Sequence, residues 1–89
     1  MTNSSIIEKA LDCRDLVADV VREIIGSVSK CNDLAYTALS DEWVRVRVRG
    51  PEVSDSWLAI HEELLTRYDK EIRLDPADPP NVVTFRFRV

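Results

Sequence analysis

Residues 43–49 have the sequence Trp-Val-Arg-Val-Arg-Val-Arg, a strict alternation of apolar and basic side chains after the tryptophan. Successive side chains of a β-strand point to opposite faces, so the three valines share one face and the arginines share the other with Trp43. The β-branched valines favour a strand over a helix. Gly50-Pro51 follows and predicts that the strand ends there. We therefore expect a half-buried strand with an apolar inner face and a basic outer face.

The segments on either side of this strand predict helices and a hairpin. Apolar residues recur every three or four positions over 5–28, which predicts a long helix with a broad core-facing stripe. Gly26 and the polar stretch 29–33 predict a break, after which 32–39 is expected to form a short second helix; the alternative is one helix over 5–39. A further helix is expected over 54–68. The alternating stretches 71–75 and 82–89 are expected to pair as a hairpin.

One register of this hairpin satisfies both of its faces. It sets Leu74 opposite Val83 on the inner face, and Ile72 opposite Phe85. On the outer face it sets Glu71 against Arg86, an opposite-charge pair. A slip of one residue would remove both agreements, so this register is the expected one.

These elements, in the order α(α)-β-α-β-β, predict a single two-layer α+β domain over residues 1–89. Helices are expected on one face of a small three-stranded sheet, with the strand 82–89 in the centre. The helix over 5–28 would be about 36 Å long, whereas an eight-residue strand spans about 27 Å. Its surplus apolar stripe needs a cover, either the short second helix or another chain. A homodimer contact through the N-terminal helix is the hypothesis that follows.

The composition argues against catalysis and metal binding. The 89 residues include two glycines, two cysteines and one histidine, and the net charge is −4. These counts leave too few ligands for a multi-histidine metal site and too few cysteines for a disulfide scaffold. No serine is accompanied by a histidine and an acid in a pattern that would activate it. We therefore expect no enzyme activity, no cofactor and no metal.

Three other residue types have ordinary structural interpretations. His61 begins a His-Glu pattern, but Leu65 stands where a zinc-binding helix would carry its second histidine. Cys13 and Cys31 fall on the apolar stripe and are expected to be buried, reduced thiols. The spacing of Trp57 places it in the core.

The N-terminus lacks a signal-peptide pattern and no apolar run approaches 20 residues, so a cytoplasmic protein without membrane contact is expected.

Two charged surfaces are the candidates for function. The first, called the arginine face, consists of Trp43, Arg45, Arg47, Arg49, Arg73, Arg86 and Arg88. The second, called the acidic stripe, consists of Glu8, Asp12, Asp15, Asp19 and Glu23 on one side of the first helix. Like charges on neighbouring strands oppose pairing, and guanidinium groups suit carboxylates and phosphates, so the arginine face is interpreted as a docking surface. The competing interpretation is a solvated face neutralised by Glu42, Glu71, Asp75 and Asp69.

The sequence therefore predicts a small non-enzymatic protein-binding module of inhibitor, immunity, antitoxin or adaptor type. Its partner would be another protein, bound through the arginine face, the acidic stripe or both. An RNA- or anion-binding module that uses the same arginines is the alternative. The net charge and the presence of a single outward aromatic, Trp43, make nucleic acid the less favoured partner. A second alternative is a non-catalytic subunit of an enzyme complex.

Overall fold

The structure, a computed structural model, describes residues 2–26, 33–75 and 81–89. It contains helices α1 (Thr2–Ile25), α2 (Pro51–Asp55) and α3 (Trp57–Arg67), and strands β1 (Asp33–Ala38), β2 (Trp43–Arg49), β3 (Ile72–Asp75) and β4 (Val82–Arg88). The strands form an antiparallel sheet in the order β1-β2-β4-β3, with β4 between β2 and β3 as expected. The helices pack on one face of this sheet. The α+β class is confirmed.

The core lies between α1 and the two central strands. The three valines of β2 and the two phenylalanines of β4 are fully buried. The apolar stripe of α1 meets them, and Ala10, Cys13 and Val17 are each at most 3% exposed. Val53, Ile60 and Leu64 complete the layer from α2 and α3. The alternation in β2 thus produces the inner and outer faces that its sequence predicts.

The prediction of a helix over 32–39 is wrong, because residues 33–38 form strand β1. The sheet consequently has four strands instead of three. The apolar residues Leu34 and Ala38 are four positions apart, and residues with this spacing share a face in a helix and in a strand alike. Their spacing therefore did not distinguish the two structures. Residues 27–32, which include 29–32 of the expected break, lie outside the described residues.

The helix bounds also differ from the expected ones. Helix α1 covers Thr2–Ile25 where 5–28 was expected, and it ends at Gly26, whose φ of 87° leaves the helical region. The expected helix over 54–68 is two helices, because the chain departs from helical geometry at Ser56. Trp57 consequently opens a new helix and is 41% exposed, so its expected core position is wrong.

The hairpin is present, but its expected register is wrong by two residues. Ile72 pairs with Phe87 and Leu74 with Phe85. A two-residue shift keeps every side chain on its face, so the inner face stays apolar in either register. On the outer face the shift moves Glu71 next to Arg88, whose N–H donates to the Glu71 carbonyl oxygen at 2.9 Å.

Candidate functional site: the outer face of the sheet

The arginine face is one continuous surface on the side of the sheet away from the helices. Alternation places its side chains from β2, β3 and β4 outward, and the register arranges them in rows across the strands. The middle row consists of Arg45, Arg86 and Arg73, each directly opposite the next. Adjacent strands are about 4.8 Å apart, so three guanidinium-bearing residues follow one another at that spacing. The structure thus brings together all seven residues that the sequence predicts for this face.

The middle row is only partly neutralised. Arg86 donates from Nε and Nη2 to Asp75 Oδ1, at 3.0 and 2.7 Å. Arg73 donates from Nε to Glu71 Oε2 at 2.8 Å. For Arg45 the described part of the chain provides no ion pair. Like charges in directly opposite positions destabilise a sheet, so this row costs the fold some stability.

Trp43 marks one end of the face and is covered by two guanidinium groups. The guanidinium carbon of Arg73 lies 5.0 Å from the centre of the indole ring, and that of Arg88 lies 5.9 Å away. Both distances are within the range of cation–π attraction. Arg88 also approaches Glu42 at 3.6 Å and Glu71 at 3.9 Å. The indole ring is therefore engaged within the protein and is not an open platform for a base.

The other end of the face carries positive charge at Arg47 and Arg49, both exposed. Arg49 lies opposite Asp33 in the pairing of β1 with β2, and Arg47 has an interaction partner. Of the four acids expected to neutralise the face, Glu42, Glu71 and Asp75 pair with its arginines. Asp69 instead lines a cavity elsewhere. Six arginines and three paired acids leave these nine residues with a net charge of +3.

The sequence reasoning missed the contribution of β1 to this face. Ala35 and Thr37 lie opposite Arg47 and Arg45 in the pairing of β1 with β2. Both side chains are small, so they leave the flank of the two arginines open toward the edge of the sheet. A signal was present in the alternation of residues 33–38, but the same residues also fit a helix.

The acidic stripe lies on the opposite side of the molecule. Its members, Glu8, Asp12, Asp15, Asp19 and Glu23, are all exposed on α1. Asp15 and Asp19 each pair with an arginine of α1 itself at 3.2 Å. Glu23 pairs at 2.5 Å with Arg67 of α3 and so links two helices. Part of the stripe therefore has a structural role, which makes it the weaker candidate for a docking surface.

A cavity of about 380 Å³ lies between α1 and the end of the sheet, and Lys9, Cys13, Leu16 and Tyr68 are among the residues that line it. Burial raises the pKa of the Cys13 thiol to about 11, and it also raises the pKa of the Tyr68 hydroxyl. The Tyr68 hydroxyl donates to the carbonyl oxygen of Arg88 at 2.5 Å. At neutral pH both groups stay protonated, and the thiolate needed for nucleophilic chemistry is scarcely populated.

His61 is half-buried on α3, and its ring centre lies 6.0 Å from that of Phe85. Its Nε2 atom is buried without a hydrogen-bond partner in the described part of the structure. Cys31 lies outside the described residues. Within those residues no group of three or more His, Cys, Asp or Glu side chains could hold a metal ion, and no helix has the length and hydropathy to cross a membrane.

Comparisons of the chain with protein-family models, with curated proteins and with solved structures found no match. The case for a function consequently comes from the surfaces of this chain alone.

Proposed function

We propose that this protein is a small cytoplasmic protein-binding module, without catalysis, that docks an acidic surface of another protein on its arginine face. Inhibitor, immunity, antitoxin and adaptor proteins act in this way. The observation that carries the proposal is the row Arg45–Arg86–Arg73, in which like charges occupy directly opposite positions on three strands. An incoming carboxylate would relieve the repulsion at Arg45, whose guanidinium group offers a planar fork, and further carboxylates would meet the N–H groups that Arg86 and Arg73 do not use on Asp75 and Glu71.

The spacing of the row favours an acidic helix as the docking element. The three arginines are separated by one strand spacing each, about 4.8 Å. Side chains at positions i and i+4 of a helix are about 5–6 Å apart. A helix with acids at every fourth position, lying across the strands, would therefore place one carboxylate near each arginine. Single-stranded RNA is bound by contacts to its phosphates together with stacking of its bases on aromatic side chains. Trp43 is already covered by Arg73 and Arg88, so the arginine face favours a protein over RNA.

Affinity purification with matched variants tests the proposal. The face variant carries Arg45→Glu and Arg49→Glu, at two residues of β2 whose side chains belong to the arginine face. The control variant carries Lys9→Glu and Lys70→Glu, which changes the net charge equally at exposed positions off the face. We expect the wild type and the control to capture the same partners from a host extract, and the face variant to lose them. Equal capture by the face variant would remove the arginine face from consideration.

Two further arms identify the chemistry of the ligand. Nuclease treatment of the extract should leave the captured proteins in place; loss after nuclease would favour the RNA-binding alternative. A fluorescent helix-forming peptide with glutamate at every fourth position should bind the wild type more tightly than a peptide of equal composition with its glutamates consecutive. Both affinities should fall as salt is added, because the contact is between exposed charges. Indistinguishable affinities for the two peptides would contradict an acidic helix as the docking element.

A further inference from the structure

The two edges of the sheet differ in a way that points to a partner for one of them. Strand β3 is four residues long, carries Arg73 and Asp75, and continues in sequence into Pro76. Short length, charge and proline are the usual means by which proteins block strand addition at an edge. Strand β1 is six residues long, and after Asp33 at its start residues 34–38, Leu-Ala-Tyr-Thr-Ala, contain neither a charge nor a proline. Edge β1 therefore lacks the protection that edge β3 has.

The outward hydrogen-bonding groups of β1 can be assigned from the pairing with β2. The Leu39 N–H donates to the Trp43 carbonyl oxygen at 2.9 Å, so the odd-numbered residues of β1 direct their N–H groups toward β2. The N–H and C=O groups of Leu34, Tyr36 and Ala38 consequently point away from the sheet. No other described residue pairs with them.

The flank of α1 above this edge carries Arg14 and a row of apolar side chains that the monomer does not fully bury. The guanidinium group of Arg14 lies over the ring of Tyr36 at 5.6 Å, which places that side of α1 next to β1. On the same flank, at helical spacing, lie Ile7, Leu11, Ala18 and Ile25. Ile7 is 48% exposed and the other three are half-buried. Tyr36 and Leu39, 37% and 41% exposed, extend the patch along β1.

We propose that a second copy of this chain occupies the edge, with β1 paired antiparallel to β1 of the partner to form a continuous eight-stranded sheet. A register with Tyr36 opposite Tyr36 of the partner subunit uses every outward group in β1 and gives six backbone hydrogen bonds. Leu34 then lies opposite Ala38 of the partner subunit on the helix side. This inference stands apart from the proposed function, since Leu34, Tyr36 and Ala38, which carry the outward backbone groups, do not belong to the arginine face.

The helices support a second copy over other occupants. Helix α1 packs over both β1 and β2, and a helix axis midway between these two strands would lie half a strand spacing inside β1. The two-fold axis would lie half a spacing outside β1, so the two α1 axes would be about 9.6 Å apart. That separation falls within the 8–10 Å at which helices pack. The antiparallel helices would also bring Arg22 of one copy toward Glu8 of the partner subunit, and Asp15 already neutralises Arg14 near the axis at 3.2 Å.

Sedimentation equilibrium on edge variants tests this dimer. The wild-type chain of 10.2 kDa should behave as a dimer of about 20 kDa at tens of micromolar, and should remain so in 1 M NaCl because the contact is mainly apolar and backbone. Tyr36→Lys places a charge at the axis, and Ala38→Pro removes an outward N–H that no bond within the monomer uses. Both should be monomeric. Leu65→Lys changes an apolar residue of α3, 48% exposed and away from β1, and should remain dimeric.

Hydrogen exchange gives a readout that loss of folding would not imitate. In the dimer the amides of Leu34, Tyr36 and Ala38 should be protected, whereas in a folded Tyr36→Lys monomer residues 34 and 38 should exchange quickly and Thr37 should stay protected by β2. A wild type that is monomeric at 1 mM would overturn the proposal. A dimer that survives both β1 variants, or one that dissociates in 1 M NaCl, would overturn it as well.

Discussion

Cys13 shows how burial determines the chemistry of a single residue in this protein. Its side chain is 3% exposed, within the contact of α1 with Tyr68, and its Sγ atom lies 4.0 Å from the tyrosine hydroxyl. The thiol has a pKa of about 11, against about 9 for an unperturbed cysteine. In the unfolded chain the thiol loses its proton near the lower value, whereas in the folded chain it keeps the proton. Deprotonation therefore favours the unfolded state.

We predict that the free energy of unfolding falls as the pH rises from about 9 toward 11. One pKa unit corresponds to about 1.4 kcal/mol, so the loss from Cys13 at pH 10 should be on the order of 1 kcal/mol. Urea denaturation at pH 7.5, 9 and 10 measures it, with Cys31→Ser in all samples so that one thiol titrates. Cys13→Ala should lose less stability over this range. The same pH dependence with and without Cys13 would contradict the prediction.

At the scale of the residue, the sequence predicts environments well where a regular element carries them. The valines of β2 and the thiol of Cys13 are buried as their spacing indicates. The predicted burial of Trp57 is wrong because its spacing from Val53 assumes one continuous helix. The break at Ser56 changes the direction in which the next helix points. The pairing of Arg73 and Arg88 over Trp43 depends on the register between strands and was beyond prediction from local sequence.

Among the elements, α1 ends at Gly26 for a reason that can be tested. Gly26 has a φ of 87°, and its N–H donates to the Arg22 carbonyl oxygen at 2.9 Å, as expected for a glycine that closes a helix. A Cβ atom added there would meet no heavy atom within 4 Å. Any cost of a side chain at this position therefore comes from the backbone alone.

We predict that Gly26→Ala lowers the free energy of unfolding by about 1–2 kcal/mol, because a left-handed conformation is unfavourable for a residue with a Cβ atom. Gly26→Asn should cost less, since asparagine adopts this conformation more readily. Urea denaturation of the two variants beside the wild type measures both effects. Equal stability of Gly26→Ala and the wild type would show that the helix ends without need of glycine.

Two of the wrong predictions, the helix over 32–39 and the register of the hairpin, share one physical cause. Residues two or four positions apart stay on one face of a strand, so a shift of the 71–75 strand by two leaves its burial pattern unchanged. In the same way Leu34 and Ala38 satisfy a helix and a strand. What decides both cases is contact with a distant strand, β2 for residues 33–38 and the precise neighbours in β4 for residues 71–75.

For the whole molecule, the net charge of −4 is an average over two separated surfaces. The six arginines and three paired acids of the sheet face carry +3, so the rest of the chain carries −7. The alternation in the sequence predicted this separation, since it assigns the arginines to one face of the sheet. In the proposed dimer the two arginine faces would lie side by side on the same surface of an eight-stranded sheet. Such a dimer would offer two equivalent sites to a partner, and binding at both would raise the overall affinity.

The two interpretations of the arginine face differ in what the charge of Arg45 does to stability. Its side chain is half-buried beside Arg86, which lies directly opposite. If docking maintains the row, removal of one charge relieves repulsion within the folded protein. If the arginines serve to cover the sheet with their aliphatic stems, the stem contributes and the charge does not.

We predict that Arg45→Gln, which removes the charge but retains most of the stem, raises the free energy of unfolding by roughly 0.2–1 kcal/mol at low salt. The gain should shrink in 1 M NaCl, because the Debye length there is about 3 Å and the charges of neighbouring strands are screened from one another. The control is Arg22→Gln, an exposed arginine of α1 paired with Asp19 at 3.2 Å, which should give no gain. Arg45→Gln should also weaken binding of the captured partner. Lower stability with unchanged binding would instead support a solvated face, in which the aliphatic stem of Arg45 stabilises the sheet by covering it.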